Sequence, residues 1–283
     1  MIKLFTTRKD FDHFRNTLNG KTIGLVPTMG NLHQGHISLL EKSLEENDVS
    51  VMTIFVNPKQ FGPNEDFDKY PRTLDADIAK ISSLAMTKGM GKEIVVFAPK
   101  SNDEIYPAGF SSSISVGELK NKLEGAIRST HFDGVTTVVY RLFRIIKADR
   151  AYFGQKDYQQ VLIIKKMVSD LEIPIQITMM PIIRNAEGLA LSSRNQYLDE
   201  TQRTEALHLS KTLINVQKLI LTNQDYKSYI KEILKDPRWD YLEVLDAQTL
   251  EQNDTAKDFI VLGVLRLGQT RLLDNMLVTK GKN

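Results

Sequence analysis

Residues 26–40, VPTMGNLHQGHISLL, constrain this chain more than any other stretch, because they read as strand, turn and helix in immediate succession. The run Thr22, Ile23, Gly24, Leu25, Val26, bounded by Gly20 and Pro27, has the apolar density of a buried strand. Pro27 has no amide to give a sheet ladder and Gly30 tolerates φ > 0, so the chain is expected to leave the strand and bend there. Ile37, Leu39, Leu40 and Leu44 then supply a helical stripe. His33 and His36 fall on one face of its first turn, where backbone N–H groups without helical partners favour an anion such as phosphate. Gly35 between them is expected to let a ligand approach the backbone closely.

The same alternation recurs along the chain. Residues 49–56 (VSVMTIFV), 93–98 (EIVVFA), 150–153 and 173–177 read as strands, and residues 8–18, 74–84, 134–147 and 157–171 as helices. Strands separated by helices predict a parallel, Rossmann-like sheet with helices on both faces. After Pro181 and the RNAEG turn at 184–188 the pattern changes. A helix over 199–221, a shorter one across 225–235, and strands at 241–245, 259–265 and near 271–278 describe a smaller α+β domain. The expected domains are therefore 1–182 and 183–283.

Composition narrows the class. The 283 residues, 41% hydrophobic and 25% charged, suffice for two cores. Cysteine is absent, which excludes disulfides, thiolate zinc sites and a cysteine nucleophile. A net charge of +2 gives no reason to expect nucleic acid as partner, so any anion site must be local. No apolar run nears the roughly 20 residues of a membrane span, and the opening MIKLFTTRKDFDHF lacks the apolar core of a signal peptide. The expectation is a cytoplasmic protein without membrane attachment.

Polar residues at the ends of the strands are the candidates for a site, since ligands of open α/β sheets collect there. Asn57 and Gln60 follow the second strand and suit a small hydroxylated acid, although a polar loop between prolines reads equally as structure. Residues 64–71 form a long loop able to act as a flap. Asp75 and Asp77 are candidate magnesium ligands through water, or simply carboxylates at a helix N-terminus. Glu124, Arg128 and His131 share a face if one helix runs through them, with Arg128 able to meet phosphate or to pair with Glu124. Lys156 and Asp157, after Gly154, stand at another helix start, the lysine for phosphate and the aspartate as N-cap or ribose partner. Ser192, Ser193 and Arg194 are phosphate ligands or an ordinary loop. The apolar face of 134–147 suits either the core or a second subunit.

The strand, turn, HxGH and helix resemble the nucleotide site of the adenylyl- and cytidylyltransferases and the class I aminoacyl-tRNA synthetases. Taken together, PTMGNLHQGH, IFVNPKQFGPNEDFDKYPRT, LEGAIRSTHFDGV, AYFGQKDYQQ and GLALSSRNQYL resemble the pantoate–β-alanine ligase family in order and spacing across the whole chain. Ser129 departs from the proline expected there. The resemblance implies a ligase that uses ATP and Mg2+ to join pantoate and β-alanine to pantothenate through a pantoyl adenylate, releasing AMP and pyrophosphate. It implies that Met29, Gly30, His33, His36, Gly154, Lys156, Asp157, Ile183, Leu191, Ser192, Ser193 and Arg194 meet ATP, and that His36, His33, Lys156 and Arg194 act in catalysis. It assigns Gln60, Gln160, Asn57, Tyr70, Arg128 and His131 to the other substrates, magnesium mainly to ATP itself, residues 183–283 to closing over the site, and the whole to a homodimer. A cytidylyltransferase, or a module that binds nucleotide without chemistry, are the alternatives.

Overall fold

A computed structural model describes residues 2–63, 65–88 and 91–280. It separates into two compact units, Met1–Gly154 with Gln160–Met180, and Gln155–Gln159 with Pro181–Asn283. No local pattern marks the five residues after Gly154 as part of the C-terminal unit.

The first unit is built on the strands β1 (Ile2–Phe5), β2 (Ile23–Thr28), β3 (Val49–Ile54), β4 (Glu93–Phe97), β5 (Arg150–Gly154) and β6 (Gln176–Met180). They form one parallel sheet in the order β1-β4-β3-β2-β5-β6. From β2 the sheet grows one way through β3 and β4 and the other way through β5 and β6, so the order reverses between β2 and β5. A crevice is expected at the carboxyl ends of those two strands. The helices are α1 (Arg8–Arg15), α2 (Gln34–Glu46), α3 (Leu74–Lys88), α4 (Leu123–Ile127), α5 (His131–Ile146) and α6 (Tyr158–Asp170). Alternate strand residues feed separate cores. Leu25, Val51, Val95 and Phe153 pack with Phe11 of α1, with α5 and with α6. Val26, Met52, Val96 and Tyr152 pack with Leu40 of α2 and Ile81 of α3. This is the two-faced burial that makes parallel strands read as continuous apolar runs.

Several boundaries differ from expectation. Pro27 does not end β2, which pairs with β3 as far as Thr28–Ile54. The Thr28 carbonyl accepts from Phe55 on the β3 side, so alternation turns the missing Pro27 amide toward β5, where pairing has already stopped at Leu25–Ala151. The last strand begins at Gln176 rather than Ile173, after Glu172 at φ 48° and the proline at 174. The first helix ends at Arg15, and β1 is invisible to sequence patterning because four residues show no usable period. The helix through Glu124 and His131 is two helices, broken at Arg128 with φ −124° and ψ 71°. The apolar side of α5 is taken up by the core, Val135, Val138, Leu142, Phe143 and Ile146 all being buried within this unit. It is therefore not the dimer surface considered above.

The second unit pairs α7 (Glu200–Leu221) and α8 (Tyr226–Ile233) with an antiparallel sheet of β7 (Trp239–Asp246), β8 (Asp258–Leu267) and β9 (Thr270–Thr279). Leu209, Leu213 and Val216 of α7 bury against Leu242, Val261 and Leu265. Asp199 and Gln202 close the capping box that starts α7. Among the described residues no helix is long and apolar enough to cross a membrane.

Candidate active site

Gly30 at φ 83° and Asn31 at φ 49° turn the chain out of β2. His33 is the N-cap of α2: its Nδ1 accepts the Gly35 amide at 3.1 Å, while His36 Nδ1 accepts the His33 amide at 3.3 Å. The rings lie 4.1 Å apart, tilted by 37°. A backbone N–H can only donate, so both Nδ1 atoms act as acceptors and each neutral ring carries its proton on Nε2. The expectation that bare helix amides face a ligand is thus corrected. The histidine rings instead take up the first-turn Gly35 amide and the N-cap His33 amide, at the positive end of the helix. Gly35 is required by the cap: a Cβ there would lie 2.9 Å from the His33 ring.

The turn is gripped from behind by α3. Asp77, fully buried, accepts the Asn31 amide at 2.9 Å and the Leu32 amide at 2.7 Å, and also the Thr73 hydroxyl at 3.1 Å. Lys80 donates to the Leu32 carbonyl at 2.6 Å. Asp77 is consequently withdrawn as a magnesium ligand, because its oxygens are filled by the protein; Asp75 is exposed. No cluster of carboxylates and histidines fit to hold a metal occurs among the described residues. Helical spacing puts Asp77, and not Asp75, on the face of Ile81 and Leu84, but only the fold shows which amides its carboxylate meets.

Gln60 gathers several of the predicted residues. Its Nε2 donates to the Met29 sulfur at 3.1 Å and its Oε1 accepts from Asn57 Nδ2 at 3.1 Å. His131 Nδ1 lies 2.9 Å from the Gln60 carbonyl. Asn57, 1% exposed, also donates to the Gly134 carbonyl and accepts from the Tyr106 hydroxyl at 2.8 Å. Asn57 therefore stands behind Gln60 as its support and is not itself a substrate contact. Gly134 is required for this docking, as a Cβ would fall 2.1 Å from the Lys59 carbonyl.

The Arg128 guanidinium turns not to Glu124 but to Glu65 in the loop after β3, forking onto its carboxylate with Nε to Oε1 at 2.7 Å. Burial opposes ionisation of Glu65, but the guanidinium beside it prevails and holds its pKa below the ordinary value. Tyr70 is buried with its ring edge-on to Phe61. Gln160 lies partly exposed in α6, and Gly154 ends β5 at the switch point.

In the second unit, Asn275 of β9 donates to the Gln155 and Lys156 carbonyls at 3.0 and 2.9 Å, fixing the backbone that carries Lys156 and Asp157. Lys156 Nζ lies 3.6 Å from Asp157 Oδ1. Leu191 donates its amide to the Ile183 carbonyl. Arg184, forked onto the buried Asp274, stabilises the hairpin between them. Ser192 caps the 3-10 turn Ser193–Tyr197 by accepting the Arg194 amide at 3.3 Å. Asn275 and Asp274 lie outside every motif read from the sequence, because an isolated polar pair on a strand carries no local signature.

The family model described as pantoate-beta-alanine ligase matches residues 3–277. The pantothenate synthetase of Acetivibrio thermocellus is 48% identical, covering 92% of this chain and 92% of its own. That of Koribacter versatilis is 47% identical, covering 93% and 91%. The crystal structure of the Thermus thermophilus enzyme superposes with a TM-score of 0.88 at 37% identity, over 98% of this chain and 99% of that one. A Francisella tularensis pantoate-beta-alanine ligase, complexed with beta-gamma ATP and beta-alanine, gives 0.77 at 34% identity, over 98% of each chain.

Proposed function

The chain belongs to the pantoate–β-alanine ligase family, and on that premise we propose that it makes pantothenate in two steps, in the cytoplasm and as a homodimer. A pantoate carboxylate oxygen attacks the α-phosphorus of ATP, and the bond to the β-phosphate oxygen breaks to release pyrophosphate. The amine of β-alanine then attacks the acyl carbon of the adenylate, loses a proton, and expels AMP. Holding the adenylate away from water between the steps prevents its hydrolysis.

The observation that carries this reading is the junction of two chemistries at Met29. One residue after β2 it meets the Gln60 amide, and four residues later the paired imidazoles begin. His33 and His36 donate Nε2–H bonds to phosphate oxygens as charge moves onto the leaving pyrophosphate, with His36 as general acid. The Gln60 amide, with Gln160, holds the pantoate oxygens. Gly154, Lys156, Asp157, Ile183, Leu191, Ser192, Ser193 and Arg194 serve the nucleotide, Lys156 and Arg194 supplying positive charge and Asp157 a ribose acceptor. Magnesium enters as part of the nucleotide substrate.

The test is isotope exchange between pyrophosphate and ATP. Exchange is expected with pantoate alone; an absolute requirement for β-alanine would rule out a free-standing adenylate step.

A further inference from the structure

Asn57 can adopt only one amide orientation. Its Nδ2 faces the Gly134 carbonyl at 3.1 Å, which can only accept, and its Oδ1 faces the Lys59 amide at 3.3 Å, which can only donate. The second Nδ2 hydrogen then goes to Gln60 Oε1, so Gln60 must present its NH2 outward, toward Met29. The remaining contact on Asn57 Oδ1 is the Tyr106 hydroxyl at 2.8 Å, shorter than the bond from Lys59. Tyr106 is 7% exposed and sits between Phe55 and Phe110, with ring centroids at 6.3 and 5.2 Å. Burial raises its pKa well above that of a free phenol, so it remains a donor throughout the physiological range.

Resting on the ligase reading above, we infer that Tyr106 is a positioning residue for the acid substrate: its hydroxyl locks Asn57, which holds the Gln60 carbonyl and so fixes the Gln60 NH2 as the donor presented to a carboxylate or hydroxyl oxygen. Tyr106, Asn57 and Gln60 form one chain of donors running outward, and each bond polarises the next. Without the hydroxyl, Asn57 Oδ1 keeps only the longer bond from Lys59. The asparagine is then looser, and Gln60 can turn its carbonyl toward an anionic substrate that no carbonyl can bind.

The experiment is a double-mutant cycle of Tyr106→Phe and Gln60→Ala, read as KM for pantoate, KM for ATP, and kcat. Phenylalanine keeps the ring contacts, and a melting curve close to that of the unaltered protein is expected. Tyr106→Phe alone should raise the pantoate KM by about three- to tenfold, the usual worth of one neutral hydrogen bond, and leave the ATP KM unchanged. In the Gln60→Ala background the same substitution should have no further effect, because the group it positions is gone. An unchanged pantoate KM, an equal rise in both backgrounds, or a parallel rise in ATP KM would overturn the inference. A Tyr106→Phe chain that did not fold would assign the hydroxyl to stability and overturn it too. Failure of the unaltered protein to consume ATP with pantoate would instead sink the ligase reading.

Discussion

Gln60 donates its side-chain amide to the Met29 sulfur at 3.1 Å, joining the loop after β3 to the turn that precedes the paired histidines. Sulfur is a weak acceptor, so this bond is easily exchanged for one to a substrate oxygen. Replacing Gln60 or Gln160 with alanine should raise the pantoate KM by about 1–3 kcal/mol in binding terms. ATP binding to free enzyme should be little altered by calorimetry; its loss, with pantoate spared, would refute the placement of the acid pocket.

The imidazoles both cap α2 and face the site, and one substitution separates these duties. Asparagine is a favoured N-cap, so His33→Asn should keep the helix start and the melting temperature within about 2 °C. Adenylate formation, followed by pyrophosphate exchange, should fall about 10²–10³-fold with the lost donor. Equal exchange rates would confine His33 to capping.

Asp77 supports that turn from the inner face of α3, which it shares with Ile81 and Leu84. Asp77→Ala removes the acceptor of the part-buried Asn31 amide and of the buried Leu32 amide. A loss of about 2–4 kcal/mol in urea unfolding is expected, together with a raised ATP KM. Asp77→Asn should also cost stability, since one oxygen becomes a donor facing a donor. Unaltered stability in both variants would remove the proposed grip.

Lys156→Ala and Arg194→Ala should each slow adenylate formation by about 10²–10³-fold while leaving the melting curve in place. Near-normal turnover in both would return them to ordinary surface charge.

The Glu65–Arg128 pair gives a pH signature. Glu65 has a lowered pKa in the folded chain, against burial, because of the guanidinium. Its contribution to stability is therefore complete above the pKa of a free glutamate and disappears as pH falls through the lowered folded value, since the unfolded chain binds the proton first. The Glu65 and Arg128 side chains are mostly covered, at 24% and 18% exposure, which limits screening by solvent. The stability difference between the unaltered protein and Glu65→Gln should be present at neutral pH and shrink below about pH 4. A difference that did not vary with pH would exclude the ion pair as its source.

The alternation of apolar runs determined the parallel sheet and its helices, because burial on both faces leaves a continuous signal that local periodicity can report. The HxGH spacing likewise placed His33 and His36 at a helix start, and the conjunction of motifs identified the family. Local pattern misjudges Pro27, whose missing amide does no harm only because the β5 ladder has ended beside it. It also joins α4 to α5, since helical spacing says nothing of the break at Arg128. The roles of Asp77, Tyr106 and Asn275 were decided only by tertiary structure. Asp77 holds Asn31 from 46 residues away, Tyr106 holds Asn57 from 49, and Asn275 holds Gln155 from 120. Such a bond has no local period or composition, and arises where the folded chain brings a donor and an acceptor together and covers them wholly or in part from water.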